Sequence, residues 1–332
     1  MKILALFNST GGTGKTTLVY HLAWMFADLG LRVIAVDLDP QCNLTTAFLP
    51  DERLEELWSD DSGLHTITGA VRPLIEHAQA QTAAHIEDIE GIGLVPGDPV
   101  LAALEDQLGS AWSACLDVKA AVPTDALAKV TALHRVILRA AETRSADVVL
   151  LDLGPGVGAL NRAALIGTDS AVVPLHADMF SVRSLRNLGP KLNELRRDWN
   201  LISVRNQSRL HTPLTTGHME VIGYVVLQLP TYQGRILQAH SRWLHRLSAA
   251  YQEGVLGVRG APKPVSEDPN LLATLKDYRS LMLLAQEAHK PIFALKPADG
   301  AIGAYGPAVA DAYAAFERLA RRIAERSGIE IC

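Results

Sequence analysis

The sequence predicts an α/β fold, a mostly parallel twisted sheet flanked by helices. Three observations carry this expectation. Apolar runs such as RVIAVDL (32–38) and DVVLLDL (147–153) lack the alternation of a half-exposed strand. Such continuous runs suit strands buried on both faces, as in parallel sheets covered by helices. Segments with helical spacing of apolar residues lie between the runs. Glycines and carboxylates gather directly after the strand ends, where open sheets of this kind bind ligands.

The first strand is Ile3 to Phe7, ended by Asn8, Ser9 and Thr10. A helix from about Lys15 to Leu29 follows the glycine loop. Its residues Leu18, Leu22, Met25 and Phe26 recur at helical spacing, and Gly30 stops it. Arg32 to Leu38 forms the second strand, with Asp37 and Asp39 at its C-terminal end. The segment from about 44 to 146 is less recognisable and holds a strand, Gly91 to Pro96, between helices of mixed character. Asp147 to Leu153, Ser170 to Leu175, Gly223 to Leu229 and Pro291 to Leu295 read as the remaining strands. No repeat, low-complexity tract or proline-rich linker divides the chain, so residues 1–332 are expected to form one domain.

With 48% hydrophobic and 20% charged residues, the chain can bury a large core. A net charge of −5 argues against wholesale wrapping of nucleic acid and leaves room for a local basic patch. Cys42, Cys115 and Cys332 are far apart and form no CxxC pair. They predict a reducing compartment without a zinc or disulfide framework. MKILALF opens like a signal peptide but breaks at Asn8, with no cleavage site after it. No apolar run approaches the ~18 residues that span a bilayer. A cytoplasmic location without stable membrane insertion is the expectation, as is the lack of a DNA-binding domain ahead of the first strand.

Chemistry begins at Thr10-Gly11-Gly12-Thr13-Gly14-Lys15-Thr16-Thr17. A strand, a glycine-rich turn and a helix start make an anion nest, in which backbone N–H groups and the helix dipole converge on phosphate. Lys15 would neutralise the β- and γ-phosphates, and the Thr16 hydroxyl would hold Mg²⁺. The general motif wants glycine at position 9, where this chain has Ser9. The bland alternative is a glycine turn that only joins strand to helix.

The stretch FNSTGGTGKTTLVYHLAWMFADLGLRVIAVDLDPQCNLT closely resembles the opening of the ParA/Soj/MinD-type deviant-Walker P-loop ATPases, whose KGGxGKT loop precedes a DxDPQxN segment. DVVLLDLGPGVGALNRAAL resembles that family's Walker B and switch II, and DSAVVPLHADMFSVRSLRNL continues the likeness. The resemblance implies ATP and Mg²⁺ binding, a nucleotide-sandwich homodimer and slow hydrolysis timed by a protein partner. By the same resemblance Asp39 orients the attacking water, Asp37 supports the Mg²⁺ shell and Asp152 reaches Mg²⁺ through water. The other reading of Asp37 is a strand-end carboxylate that caps its own loop. Cys42 beside this cluster reads as a packing residue. The family places an amide against adenine after the GYVVLQL strand, which points to Gln228. The segment Leu295 to Gly300, with Pro297, would close over the base.

One departure matters. The family carries a lysine immediately before the GG pair, where it reaches the partner's phosphates, and this chain has Thr10. Threonine donates one hydrogen bond and neutralises no charge. Thr10 reads either as a natural divergence or as a deliberate substitution. Arg162 and Arg183 are the basic residues best placed to act across a dimer instead.

Arg235, Arg242 and Arg246, interleaved with Trp243 and His245, read as one helix, and Arg318, Arg321, Arg322 and Arg326 decorate the last one. Relatives bind DNA without sequence preference through such clusters, while a solvated helix face is the plain alternative. Ala312, Phe316, Leu319 and Ile323 form an apolar stripe, expected to dock on the core rather than on a membrane. Three functional classes fit: an ATP-driven positioning switch, a metabolic P-loop enzyme, and a nucleotide-binding regulator with little turnover.

Overall fold

A computed structural model describes residues 1–59, 64–77, 82–117, 124–206, 219–229, 231–232, 235–236, 238–258, 267–303 and 305–331. Its strands are β1 (Lys2–Leu6), β2 (Val33–Leu38), β3 (Glu87–Ile89), β4 (Ile92–Val95), β5 (Val148–Leu153), β6 (Ser170–His176), β7 (Glu220–Leu229), β8 (Thr231–Tyr232), β9 (Arg235–Ile236) and β10 (Leu271–Lys276). Its helices are α1 (Lys15–Asp28), α2 (Asn43–Phe48), α3 (Asp51–Ser59), α4 (Ile67–Glu76), α5 (Glu105–Leu116), α6 (Thr124–Val130) and α7 (Ala132–Thr143). They continue with α8 (Ala159–Leu165), α9 (Met179–Arg205), α10 (Gln238–Gly254), α11 (Ser280–Glu287) and α12 (Tyr305–Ser327).

The apolar runs pair into an eight-stranded sheet of order β10-β7-β6-β1-β5-β2-β4-β3. Every pairing in it is parallel except the β3–β4 edge. Successive side chains of a strand face opposite sides, so one strand serves two cores. Ile3 and Ala5 of β1, with Phe7 just beyond it, enter a core shared with α4 to α10, while Leu4 and Leu6 enter another shared with α1, α11 and α12. The chain leaves β1 toward β2 on one side and later fills β6, β7 and β10 on the other. That reversal opens a crevice at the C-terminal end of β1.

The segment from 44 to 146 supplies the β4–β3 edge and the helices α2 to α7. Its strand spans Ile92–Val95, inside the expected Gly91 to Pro96. Pro291 to Leu295 is not a strand. Ile292–Ala294 is a 3-10 turn, because Pro291 has no N–H for a ladder and the Ile292 N–H is taken by His21 Nε2 at 3.2 Å. The sheet edge is instead β10, whose LLATLK has no alternation to set it apart from a helical segment. Arg235 falls in β9 and not on the helix with Arg242 and Arg246. The stripe Ala312, Phe316, Leu319 and Ile323 is buried in the second core, as expected for docking. Among the described residues no helix is long and apolar enough to cross a membrane. Cys332 lies outside the described residues.

Candidate functional site

Asn8 sets where the glycine loop leaves β1. It is fully buried. Its amide donates to the Pro174 carbonyl at 2.8 Å, and its Oδ1 accepts from the Thr10 N–H (3.1 Å) and the Ser184 hydroxyl (2.7 Å). Gly12 and Gly14 adopt φ of 69° and 76°, a left-handed backbone that the loop's curl demands. A side chain at Gly14 would meet Leu227 Cδ1 at 2.6 Å. Gly14 also caps α1 without a side-chain hydrogen bond, and no acidic residue occupies the first turn. The orphan amides and the positive dipole end are therefore left for an external anion.

Lys15 folds across that opening, 6% exposed, and donates to the Thr10 carbonyl at 3.3 Å. Burial holds its ammonium below the usual lysine range, with Asp152 and Asp39 pulling it back up. Gly11, Gly12, Thr13, Gly14, Thr16 and Thr17 border the same cavity, of about 820 Å³. Thr10 is exposed and lies outside the cavity wall. His176, at the end of β6, donates through Nε2 to the Gly12 carbonyl at 3.0 Å. Since a carbonyl only accepts, that nitrogen carries the proton.

Asp37 and Asp152 are register partners on β2 and β5, and both are fully buried. Their surroundings differ. Asp37 Oδ2 accepts from the Thr45 N–H (2.8 Å) and hydroxyl (2.7 Å), and Oδ1 from the Asp39 N–H (3.2 Å). The Thr45 hydroxyl in turn accepts from Gly97 N–H at 2.8 Å. These are the bonds of a loop cap. Burial raises the Asp37 carboxyl to about 6 against the pull of Thr45.

Neither oxygen of Asp152 has a hydrogen-bond partner. The Thr16 hydroxyl sits beside it without meeting hydrogen-bond geometry. Burial first, then Asp37, push its carboxyl well above the usual range, while Thr16 and Lys15 pull the other way. An isolated buried carboxylate is costly unless a cation completes it. Asp39 is 7% exposed, borders the cavity and accepts from Gln41 N–H at 3.0 Å. Cys42 is buried with its thiol pushed up by burial, in keeping with a packing role.

This donor set fits the phosphates of a nucleotide together with Mg²⁺. Among the described residues no three His, Cys, Asp or Glu side chains converge as a complete metal shell. The orphaned Asp152, with the Thr16 hydroxyl beside it, suits a hard cation that shares its shell with phosphate oxygens and water.

The end of the cavity away from the glycine loop is assembled from distant segments. Tyr20 and His21 of α1 form one wall, and Met282, Ala285 and Gln286 of α11 another. His21 is clamped, with Nδ1 2.7 Å from the Thr17 carbonyl and Nε2 accepting from Ile292 N–H. It stacks on Phe316 at 4.9 Å, and burial lowers its pKa to about 4. Gln228 borders the cavity with a left-handed φ of 50°. Pro297 does not border it. It opens a 3-10 turn ending at Asp299, whose carboxylate binds Lys290 at 2.7 Å, and Lys290 is the residue in the wall. Asn8 had a sequence signal, a polar residue closing an apolar strand before the loop. His21, Gln286 and Lys290 had none.

Of the two arginines expected to act across a dimer, Arg162 is committed elsewhere. Its Nε donates to the Val157 carbonyl at 3.0 Å, and its guanidinium lies 5.9 Å from the Trp112 ring centroid. Arg183 is exposed on the second turn of α9, one turn beyond the exposed Met179 and Phe180. Arg242 and Arg246 lie 5.4 and 4.9 Å from the Trp243 ring centroid. In the last helix, Arg321 pairs with Glu317, while Arg322 and Arg326 donate to the Leu272 and Pro269 carbonyls.

Residues 1–203 match the family model AAA_31, an AAA domain. The chain is 29% identical over 197 residues to the chromosome-partitioning ATPase Soj of Thermus thermophilus, covering 59% of this chain and 64% of that one. It is 30% identical over 190 residues to a virulence-plasmid ParA-family protein of Chlamydia psittaci, covering 57% and 62%. The match thus spans less than two thirds of these relatives' length. In fold, the chain is similar to a Cyanothece McdA variant in complex with ATP, with a TM-score of 0.65 and 16% identity over 99% of this chain and 97% of that one. A Corynebacterium diphtheriae protein of solved structure gives a TM-score of 0.60 and 28% identity over 75% and 88%.

Proposed function

The chain belongs to the AAA_31 family of AAA domains, with relatives of the ParA and Soj type, and on that premise we propose an ATP-binding, slowly hydrolysing switch. The reading extends to a cytoplasmic homodimer that positions DNA or a large cargo. The observation that carries it is the orphaned Asp152 beside Lys15 and Thr16 at the uncapped start of α1. Bound Mg²⁺ supplies positive charge to the phosphoryl oxygens. The chain's own residues do the rest. The loop amides hold the phosphates, and Lys15 swings from the Thr10 carbonyl onto them. Asp39, at the cavity edge, orients water, which is the positioning such a transfer requires.

Thr10 leaves the face-to-face contact without the usual lysine. Arg183 fills that role in trans in our reading, and Met179 and Phe180 beside it add apolar contact. The exposed Arg242 and Arg246, flanking the half-buried Trp243, support non-specific DNA binding, since phosphate contacts need only placed positive charge. The arginines of α12 support it less, because three of the four hold their own fold. A protein adaptor that times hydrolysis completes the proposal.

One set of measurements tests it. In calorimetric titration with Mg²⁺ and ATP, Lys15→Ala should lose at least about a hundredfold in affinity, as expected for a charge-assisted contact in a partly dry site. Asp39→Ala should keep ATP, lose turnover and accumulate as a dimer in light scattering, and Arg183→Ala on that background should weaken the dimer. Unchanged affinity in Lys15→Ala rejects the site, and a monomer at every nucleotide state rejects the sandwich.

A further inference from the structure

The loop that follows Asp152 is held from two sides. Toward the phosphate loop, Gly156 N–H donates to the Ser9 carbonyl at 3.1 Å. A Cβ on Gly154 would stand 3.4 Å from Asp39 Oδ1, so this loop also lies against the water-orienting carboxylate. Asn161 ties the loop to itself, donating to the carbonyls of Gly154 (2.9 Å) and Gly156 (3.0 Å). On the far side a single residue from the poorly legible segment grips it. Glu105, the first residue of α5, accepts from Ala159 N–H through Oε1 at 2.5 Å and from Leu160 N–H through Oε2 at 2.9 Å.

This is a bidentate cap on α8 supplied by another element. Gly158, the residue before α8, offers no side-chain cap. A Cβ there would lie 2.4 Å from Glu105 Oε1. Its φ is −68°, so alanine would be free of backbone strain and would only push the carboxylate away. A second tie joins the same pair of helices, Arg162 of α8 over Trp112 of α5, and Trp112 stacks on Trp199 of α9 at 6.4 Å.

We propose that Glu105 is a positioning residue for hydrolysis: it fixes the 154–158 loop against Ser9 and Asp39 and couples α5 to the state of the phosphate site. The inference rests on the ATPase reading above. Glu105 touches neither the cavity nor its lining, so its effect is carried by the loop. A charge-assisted two-pronged cap is strong enough to hold a loop that is otherwise rich in glycine. A shift of the loop displaces the surroundings of Asp39, and a misplacement of about 1 Å is enough to cost about a hundredfold in rate.

The test compares Glu105→Ala, Gly158→Ala and the double variant, in the full chain. Each single variant should lower kcat by about ten- to a hundredfold while KM and ATP affinity stay within about threefold, the split expected of lost alignment. The double variant should be no worse than either single one, because both remove the same contact. The ATP-dependent change in indole emission that is absent from Trp112→Phe should also disappear in both. Glu105→Gln keeps one acceptor and should fall between wild type and Glu105→Ala, which covers the case in which alanine at either position fails to fold. Wild-type turnover and emission change in Glu105→Ala, or an additive double variant, overturn the inference alone. Failure of the wild-type chain to bind ATP overturns the ATPase reading and this inference with it.

Discussion

Two strand ends, side by side in the sheet, hold aspartates in the same register and put them to opposite use. At the end of β2, Asp37 is a finished piece of structure, accepting three hydrogen bonds from Thr45 and Asp39. At the end of β5, Asp152 is equally buried and accepts none. Burial alone therefore does not mark a functional carboxylate. What marks it is burial without partners, since native folds satisfy almost all of their buried polar groups. Asp152 is a standing electrostatic cost in the free protein, and a cation is the natural way to remove it.

The comparison breaks most visibly in ligand binding. Asp152→Asn should lower the Mg²⁺-dependent affinity for ATP by about ten- to a hundredfold, as loss of a charge-assisted contact predicts. Asp37→Asn should stay within about threefold of wild type, because its bonds are internal. Calorimetry with and without Mg²⁺ distinguishes them, and equal losses would mean that Asp37 belongs to the metal shell after all.

Stability without ligand should move in opposite directions. In chelator, Asp37→Ala should destabilise the fold by about 1–3 kcal/mol, leaving buried donors of Thr45 and Asp39 unanswered. Asp152→Asn should stabilise it by about 1–2 kcal/mol by removing an unpaired buried charge. Urea denaturation measures both, and two changes of the same sign would erase the distinction.

The smallest expected effect is in its pH dependence. A carboxyl whose folded pKa is raised binds more protons folded than unfolded, so its contribution to stability falls as pH rises from its unfolded value through its folded one. Asp152 is raised well above 3.8, so the advantage of Asp152→Asn should be near zero at about pH 4 and grow as the pH rises toward the carboxyl's raised folded value. The buried His21 and His134, both lowered to about 4, act in the opposite sense but are common to both proteins and cancel in the difference. An advantage that is flat with pH would show that the Asp152 carboxyl is not raised.

Legibility followed chain locality. The phosphate loop, α1 and the strands β1, β2, β4, β5 and β6 were readable because each is specified within a short window by its own glycines and apolar runs, whereas the three-residue edge strand β3 was not. Asn8 through Thr17 lie in one stretch, so their spacing alone brings them together. The far wall of the cavity was not readable, because Tyr20, Gln228, Gln286 and Lys290 meet only through packing. Pro297 does not border the cavity, whereas Lys290, paired with Asp299 two residues after Pro297, does. Arg162 and Arg183 were indistinguishable in sequence, and the Val157 carbonyl and the Trp112 ring, which engage Arg162, separated them.

The sequence by itself determined the α/β class, the position of the glycine loop and, Thr10 apart, the loop residues that border the cavity. Backbone curvature at glycines and the burial of apolar strands are local properties that leave a local pattern. Only the tertiary structure decided that Asp37 is a cap and Asp152 an orphan, and that α12 closes over His21. It also decided that Glu105 grips a helix more than 50 residues further along the chain. Hydrogen-bond partners of a buried group are fixed by what packs beside it, and that neighbour is set by the whole fold, not by the residue's own surroundings in sequence.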